Sequence, residues 1–340
     1  VATAMRPPGA TTGGMPVTYE LIVGNRLYFS WSLAAWLMLN RFDTGAKVTT
    51  TYLRPQEEGG IGPLLEAHAP ARTVPTLCTP EGAVLCDSMA IAEELATRFP
   101  HAGFWPSDPL ARGTARALAC EMHASFRSLR SDWPVNLRVA YEAQTPPSAV
   151  ASELDRLETI WTHARHVTQS QTPWLCGPYS IADAIFAPMA TRLATYGFDT
   201  RPTTKDYVAA HLCDPALRRW RAMGLVSEPR MPKVERPFPE RPWPGPIPRK
   251  ARAVDGTDAQ NTACPYSGKP VTHCLEIDGR RFGFCNALAS TPPDKILPLA
   301  GCTVLYALAS LVIESSRITT SCPHSTILFA FSNTKSATFT

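Results

Sequence analysis

Only 18% of the 340 residues are Asp, Glu, Lys or Arg, and the two signs nearly cancel at a formal net charge of +4. With acids and bases mixed, that balance excludes a protein built to grip nucleic acid through a basic surface. Residues 1–16 (VATAMRPPGATTGGMP) lack an apolar core, so no secretory leader is read there; the chain opens on Val1, as a fragment or a processed start would. None of the ten cysteines forms a Cys-X-X-Cys pair. Cys264, His273, Cys274 and Cys285 have no standard zinc spacing, and no metal is expected. Most of Cys78, Cys86, Cys120, Cys176 and Cys213 lie in apolar, periodic surroundings, which is the pattern of buried, reduced thiols in a cytoplasmic protein.

What the chain has in excess is proline, 33 residues against a usual share of roughly 5%. Its length suffices for about two domains with proper cores, and a hydrophobic fraction of 44% excludes a mostly disordered protein. Eight of the prolines fall within 229–248, interleaved with Arg and Lys, and predict an extended strap or linker across 229–262. Residues 263–286 form a small island in which Asp278-Gly279, between alternating segments, predicts a hairpin. Beyond it, 287–340 hold 16 Ser or Thr and five charged residues without convincing periodicity. The uncharged run Ile296–Ile313 raises a membrane span, but Pro298, Gly301, Thr303 and Ser310 interrupt it. The tail reads better as disordered, or as translated out of frame or from an unspliced segment, and no membrane partner is expected.

Between these margins the pattern is α/β, then all-α. Residues 17–23 and 47–53 read as strands, and a helix runs from Trp31 towards Phe42, with Ser30 or Ser32 placed to cap it. Val74–Leu77 and Ala83–Cys86 read as two short strands joined at Pro80-Glu81-Gly82, and Asp87-Ser88 opens a helix to about Phe99. The order β-α-β-α-β-β-α implies mixed pairing in one small domain, 17–100. From 108 to 228 the periodicity is helical: Leu118, Met122, Phe126 and Leu129 recur on one stripe, and Val150, Leu154, Leu157, Trp161 and Ala164 on another. Ser180-Ile-Ala-Asp183 is a capping-box pattern in front of Ile185, Met189, Leu193 and Tyr196, and a last helix is expected near 214–225.

Three points on the α/β unit invite chemistry. Val74-Pro75 suits either a cis bond that turns the Val74 backbone outward to pair with a peptide-like ligand, or an edge-strand proline. Asp87-Ser88 lies where a strand meets a helix, a place for a plain cap or for the carboxylate and ammonium of an amino-acid head group. Ser30-Trp31-Ser32 opens the first helix, where a hydroxyl and the helix end can stabilise a thiolate, or simply cap.

Their joint order resembles the glutathione S-transferase superfamily over residues 17–228. The resemblance rests on GNRLYFSWSLAAWL, RTVPTL, LCDSMAIAEELATRFP and WLCGPYSIADAIFAPMATRLATYG; the segment EMHASFRSLRSDWPVNLR looks like bacterial-type members near the zeta, or maleylacetoacetate isomerase-like, class. It implies a thioredoxin-like N-terminal domain, an all-helical C-terminal domain, usually a homodimer, and glutathione as co-substrate. By position, Ser30 or Ser32 would be catalytic, Val74 with Pro75 would pair with the cysteinyl backbone of glutathione, and Asp87 and Ser88 would hold its γ-glutamyl head beside Trp31. Met122, Phe126 and Trp133 would border a pocket for a small hydrophobic or acidic electrophile, and His123 and Arg127 share that helix. The implied activity is conjugation or isomerisation with glutathione, in the manner of detoxification enzymes. Phe29 and Ala34 stand where similar proteins often carry Ser and Arg, so the alternative is a non-catalytic glutathione-binding or interaction protein on the same fold. The Cys264-Pro-Tyr-Ser-Gly island is similar to a YHS-type module that lacks a further cysteine soon after Cys285.

Overall fold

The computed structural model describes residues 18–53, 60–246, 251–264, 269–277 and 279–285. Residues 1–17, the uncharged run 296–313 with the rest of the tail, and Asp278 of the expected hairpin lie outside them. The first part comprises β1 (Thr18–Val23), α1 (Ser30–Asn40), β2 (Lys47–Tyr52), the single turn α2 (Ile61–Leu64), β3 (Thr76–Cys78), β4 (Val84–Leu85) and α3 (Ser88–Arg98). The strands form one sheet in the order β2-β1-β3-β4; β1 and β2 are parallel, and the other two pairings are antiparallel. This is the expected β-α-β-α-β-β-α arrangement with mixed pairing.

Alternation along β1 assigns its faces. Tyr19, Leu21 and Val23 join the main core with α1 and α3, while Ile22 packs on the opposite side with Leu53, Leu65 and Ala71. Helix α1 is buried continuously from Ser32 to Leu39, because the sheet covers one side and the helical part of the molecule the other. Trp36 meets Trp220 across that second contact, with ring centroids 5.2 Å apart. A helix covered all round has no need of a polar face, hence its apolar sequence.

The helical part contains α4 (Pro109–Ala124), α5 (Arg127–Asp132), α6 (Ser148–Val167), α7 (Ile181–Tyr196), α8 (Pro202–Cys213) and α9 (Pro215–Ser227). The expected capping box forms at the head of α7, where Asp183 accepts from the Ser180 backbone N–H at 2.9 Å. Helix α8 carries little apolar periodicity, because its buried positions Thr204, Tyr207, His211 and Leu212 include polar residues at the inward-facing spacing. The stripe Leu118–Met122–Phe126–Leu129 does not continue through one helix. The chain breaks at Ser125–Phe126, where Phe126 adopts a left-handed φ of +61°, and α5 leaves in a new direction.

The proline-rich segment after α9 folds back across the helices. Within it β6 (Glu240–Arg241) pairs antiparallel with β5 (Ala140–Tyr141). The expected hairpin of the 263–286 island forms as β8 (His273–Ile277) and β9 (Arg280–Phe284), with Gly279 at φ +74°. The expectation of a linker through 262 is corrected at β7 (Ala251–Val254), which pairs antiparallel with β8 and makes a three-stranded sheet. Among the described residues no helix is long and apolar enough to cross a membrane.

Candidate functional site

The site is built on two helix starts and one helix break. The cap position of α1 is Phe29, whose side chain accepts nothing, so Ser30 is the first helical residue and neither serine caps this helix. Among the described residues nothing bonds the first N–H groups of α1, which point out with the positive end of the helix dipole. Ser30 is half-exposed there and lines an open cleft of about 590 Å³ with His123, Arg127, Arg130, Ser131 and Arg192. Ser32 is different: it is fully buried, and its oxygen accepts the Gly24 N–H at 3.1 Å. Two residues along a helix is about 200° of rotation, which takes the Ser32 hydroxyl out of the cleft and into the core.

The second helix start is that of α3. One Asp87 oxygen accepts the Met89 and Ala90 N–H groups at 2.8 and 3.1 Å, and the other meets His123 Nε2 at 2.9 Å. Asp87 is exposed, Ser88 lies buried beneath it, and among the described residues the Ser88 N–H has no partner. The Val74–Pro75 peptide is cis, and Val74 has no backbone hydrogen bond among the described residues. Thr73 Oγ1 donates to the Cys86 carbonyl at 3.3 Å, so the Val74-Pro75 turn and the Asp87-Ser88 turn are neighbours. His123 joins this pair of turns to the first helix start: its ring lies 5.2 Å from that of Trp31, and the Arg130 guanidinium sits over the other ring of that contact, Trp31, at 4.9 Å.

The break between α4 and α5 supplies the cations. Arg130 donates through Nη1 to the His123 and Ser125 carbonyls at 3.0 and 3.2 Å, closing the end of α4. Desolvation and the charge of Arg127 both lower its pKa. Arg192, on α7, is almost wholly buried and donates to the Trp133 and Pro188 carbonyls at 3.0 and 3.3 Å. No carboxylate pairs with it among the described residues. Burial, and then Arg130, pull it down to about 9, which still leaves a cation at neutral pH. Among the described residues, those lining this cleft include Arg127, Arg130, Arg192 and His123, the last paired with Asp87, and no acid. A buried cation without a counter-ion costs folding free energy, and a strongly shifted group of this kind in a cleft marks a candidate binding site.

The expected electrophile pocket does not lie where Met122, Phe126 and Trp133 are. All three are buried in the core, at 1%, 3% and 7% exposure. Trp133 is enclosed edge-on by Tyr196 and Phe198 and covered by Phe238. Their helical spacing recorded packing, and the break at Phe126 turned the other side of the segment to the cleft. Arg192 was missed by sequence reasoning. The sequence shows only that, apart from Asp183, it is the one charged residue in α7; what sets it apart is the burial of every residue of that helix, which the structure supplies.

A four-stranded mixed sheet flanked by α1 and α3 and followed by an all-helical part is the glutathione S-transferase fold, with its thioredoxin-like N-terminal unit. Residues 29–98 match the family described as glutathione S-transferase, N-terminal domain. No curated protein sequence matches the chain. Among solved structures, it is similar to a Burkholderia glutathione transferase homolog with bound glutathione, at 22% identity over 61% of this chain and 97% of that one, with a TM-score of 0.44. It is also similar to a glutathione transferase from Methylococcus capsulatus, at 19% identity over 61% and 98% of the two chains, TM-score 0.45. Ure2p in complex with glutathione shows 15% identity over 59% and 97%, TM-score 0.44.

Proposed function

We propose that the protein is a glutathione-dependent transferase acting on a small anionic electrophile. The observation that carries this reading is the unpaired, buried Arg192 facing the same cleft as Ser30 at the uncapped start of α1. Glutathione would lie along the turns at Val74-Pro75 and Asp87-Ser88, its cysteinyl amide pairing with the Val74 backbone and its γ-glutamyl carboxylate meeting the Ser88 N–H. Its sulfur would then reach the head of α1. There the Ser30 hydroxyl donates to the thiolate, and the helix end favours the anion, so more of the thiol is ionised at neutral pH. Arg192, Arg130 and Arg127 would hold a carboxylate of the electrophile, fixing it against the sulfur and neutralising charge that develops on it. Ser32 keeps a structural role. From the sequence resemblance we further propose a zeta-like position within the superfamily, a cytoplasmic homodimer, a detoxifying role, and a YHS-like character for 263–286.

The test compares conjugation of glutathione to an electrophile bearing a free carboxylate and to its neutral ester. The acid should be preferred at least tenfold in kcat/KM, and Arg192→Met should remove that preference. Ser30→Ala should lower kcat about 10²-fold, the cost of one donor to a developing anion, whereas Ser32→Ala should leave kcat intact. Equal activity of wild type and Ser30→Ala, or a preference for the ester, overturns the assignment.

A non-catalytic glutathione-binding protein is the second reading. It is favoured by Phe29 at the head of α1 and by the Asp87–His123 pair, which already occupies the carboxylate that would meet the γ-glutamyl ammonium. Retention on immobilised glutathione without turnover of any electrophile would select it.

A further inference from the structure

On the sheet face turned away from the cleft, three metal-binding side chains from three segments converge. Glu20 on β1 and Cys78 on β3 stand directly opposite in the antiparallel register, so their side chains leave the sheet side by side. His68, at the end of the short helical turn Glu66–His68, reaches over them, with Nδ1 3.7 Å from Cys78 Sγ. One ligand atom from each of the three lies within 4.8 Å of the others. Glu20 belongs to this face by alternation: its neighbour Ile22 is in the small core behind the sheet, whereas Tyr19 and Leu21 are in the main core.

We propose that Glu20, His68 and Cys78 form a binding site for a zinc-type divalent cation, independent of the glutathione cleft. The donor set of one thiolate, one imidazole and one carboxylate selects a borderline-soft ion such as zinc over calcium or magnesium, which take oxygen. The spacing fits: Zn–S and Zn–N bonds of about 2.3 and 2.05 Å at a tetrahedral angle put sulfur and nitrogen about 3.6 Å apart. Thr51 Oγ1 donates to Glu20 Oε1 at 2.7 Å, orienting the carboxylate as an outer hydrogen-bonding partner does and leaving Oε2 for the ion. The His68 backbone is fixed through its N–H to the Leu65 carbonyl at 2.8 Å and its carbonyl to the Ala71 N–H at 3.0 Å. All three side chains are half-exposed, which gives an ion a route in and leaves the fourth position to water. Without a cation, burial and the Glu20 charge both raise the Cys78 pKa; a bound ion reverses the second effect and draws off the thiol proton. The ion would tie β1, β3 and the turn at 66–68 together. Linear spacing did not show this, because strand register brings Glu20 and Cys78 together across 58 residues.

The experiment titrates cobalt(II), zinc's spectroscopic substitute, into the full chain after reduction and chelation. Wild type should bind one equivalent, with thiolate-to-cobalt charge-transfer absorption and tetrahedral visible bands that zinc abolishes. Cys78→Ser should lose the charge-transfer band and weaken binding at least tenfold, and His68→Gln and Glu20→Gln should each weaken it. Cys86→Ser, on the same sheet face, and Cys274→Ser, in the terminal sheet, should leave the spectrum unchanged. If Cys78→Ser misfolds by circular dichroism, His68→Gln, altered in a short surface turn, decides the question. A wild-type spectrum without thiolate character, bands that survive in Cys78→Ser or His68→Gln, or bands lost in Cys274→Ser would overturn the site.

Discussion

Asp183 is a buried carboxylate with four donors around it: the N–H groups of Leu175 and Ser180, and the hydroxyls of Ser180 and Tyr207, at 2.9 to 3.1 Å. Desolvation outweighs these and raises it to about 6, above an unfolded value near 4. A carboxyl that binds its proton more tightly when folded stabilises the fold below about pH 4, and this contribution fades as pH rises through 6, amounting to about 3 kcal/mol. His211, packed against Tyr207, is pushed the other way, down to about 3 by burial, and favours the fold as pH rises over an overlapping range. The wild-type pH profile therefore mixes the two, and a variant is needed to separate them. Asp183→Asn places an amide donor against other donors and should destabilise at every pH, with the deficit in urea unfolding larger at pH 4.5 than at pH 7. A deficit that grows with rising pH would contradict this. At this scale the sequence carried part of the answer: the capping box was legible and a cis bond was one of two readings at Val74-Pro75, whereas the serine cap expected on α1 is absent because Phe29 holds that position. Ser32 was not separable from Ser30, since only the roll of α1 against Gly24 decides which hydroxyl is outside. Nor was Arg192 noticed, because a basic residue in an apolar helix declares itself only when no face of that helix is free.

Helix α5 shows how an element can depend on a distant side chain. It is six residues long, its cap position is the left-handed Phe126, and that residue supplies no side-chain cap. Instead Glu153, on α6, accepts the Ser128 and Leu129 N–H groups at 3.0 and 2.7 Å. So short a helix is not stable by itself, and the segment carries Arg127, Arg130 and Ser131 to the cleft. Glu153→Ala should cost about 1 kcal/mol, as loss of a cap does. In hydrogen exchange it should lower protection across 127–132 while α7 keeps its protection. Unchanged protection at 127–132 would show that packing alone holds the segment. The stripe from Leu118 to Leu129 concealed this break, since four apolar residues at helical spacing satisfy one long helix and two short ones equally well. The difference lies in one backbone angle and a carboxylate more than 20 residues away.

At the scale of the molecule, the proline excess becomes a fastening. From Glu228, paired with the buried Arg26, the chain returns across the helical part. Glu235 accepts the Tyr28 hydroxyl at 2.7 Å, the Arg236 N–H donates to the Tyr141 hydroxyl at 3.1 Å, and Arg241 donates to the Tyr141 and Ala194 carbonyls at 2.7 and 3.0 Å. Phe238 stacks on Trp133 at 5.6 Å and meets Tyr141 edge-on at 5.7 Å, covering the aromatic group that lies under the cleft's Arg192 anchor. Prolines suit this course because little of the strap's backbone pairs in a ladder, and each fixed φ lowers the entropy lost on docking. A linker would be expendable; a strap that covers Trp133 is not. Two truncations separate these cases: a chain ending at residue 246 should melt close to full length over its helical part, and one ending at 228 should lose about 3 kcal/mol from Phe238 burial and the strap's hydrogen bonds. For a unit of this size that is roughly 6–12 °C in Tm. Phe238→Ala in the full chain should reproduce part of the loss while leaving β5–β6 pairing in place, and equal melting of the two truncations would return the segment to the status of a tether.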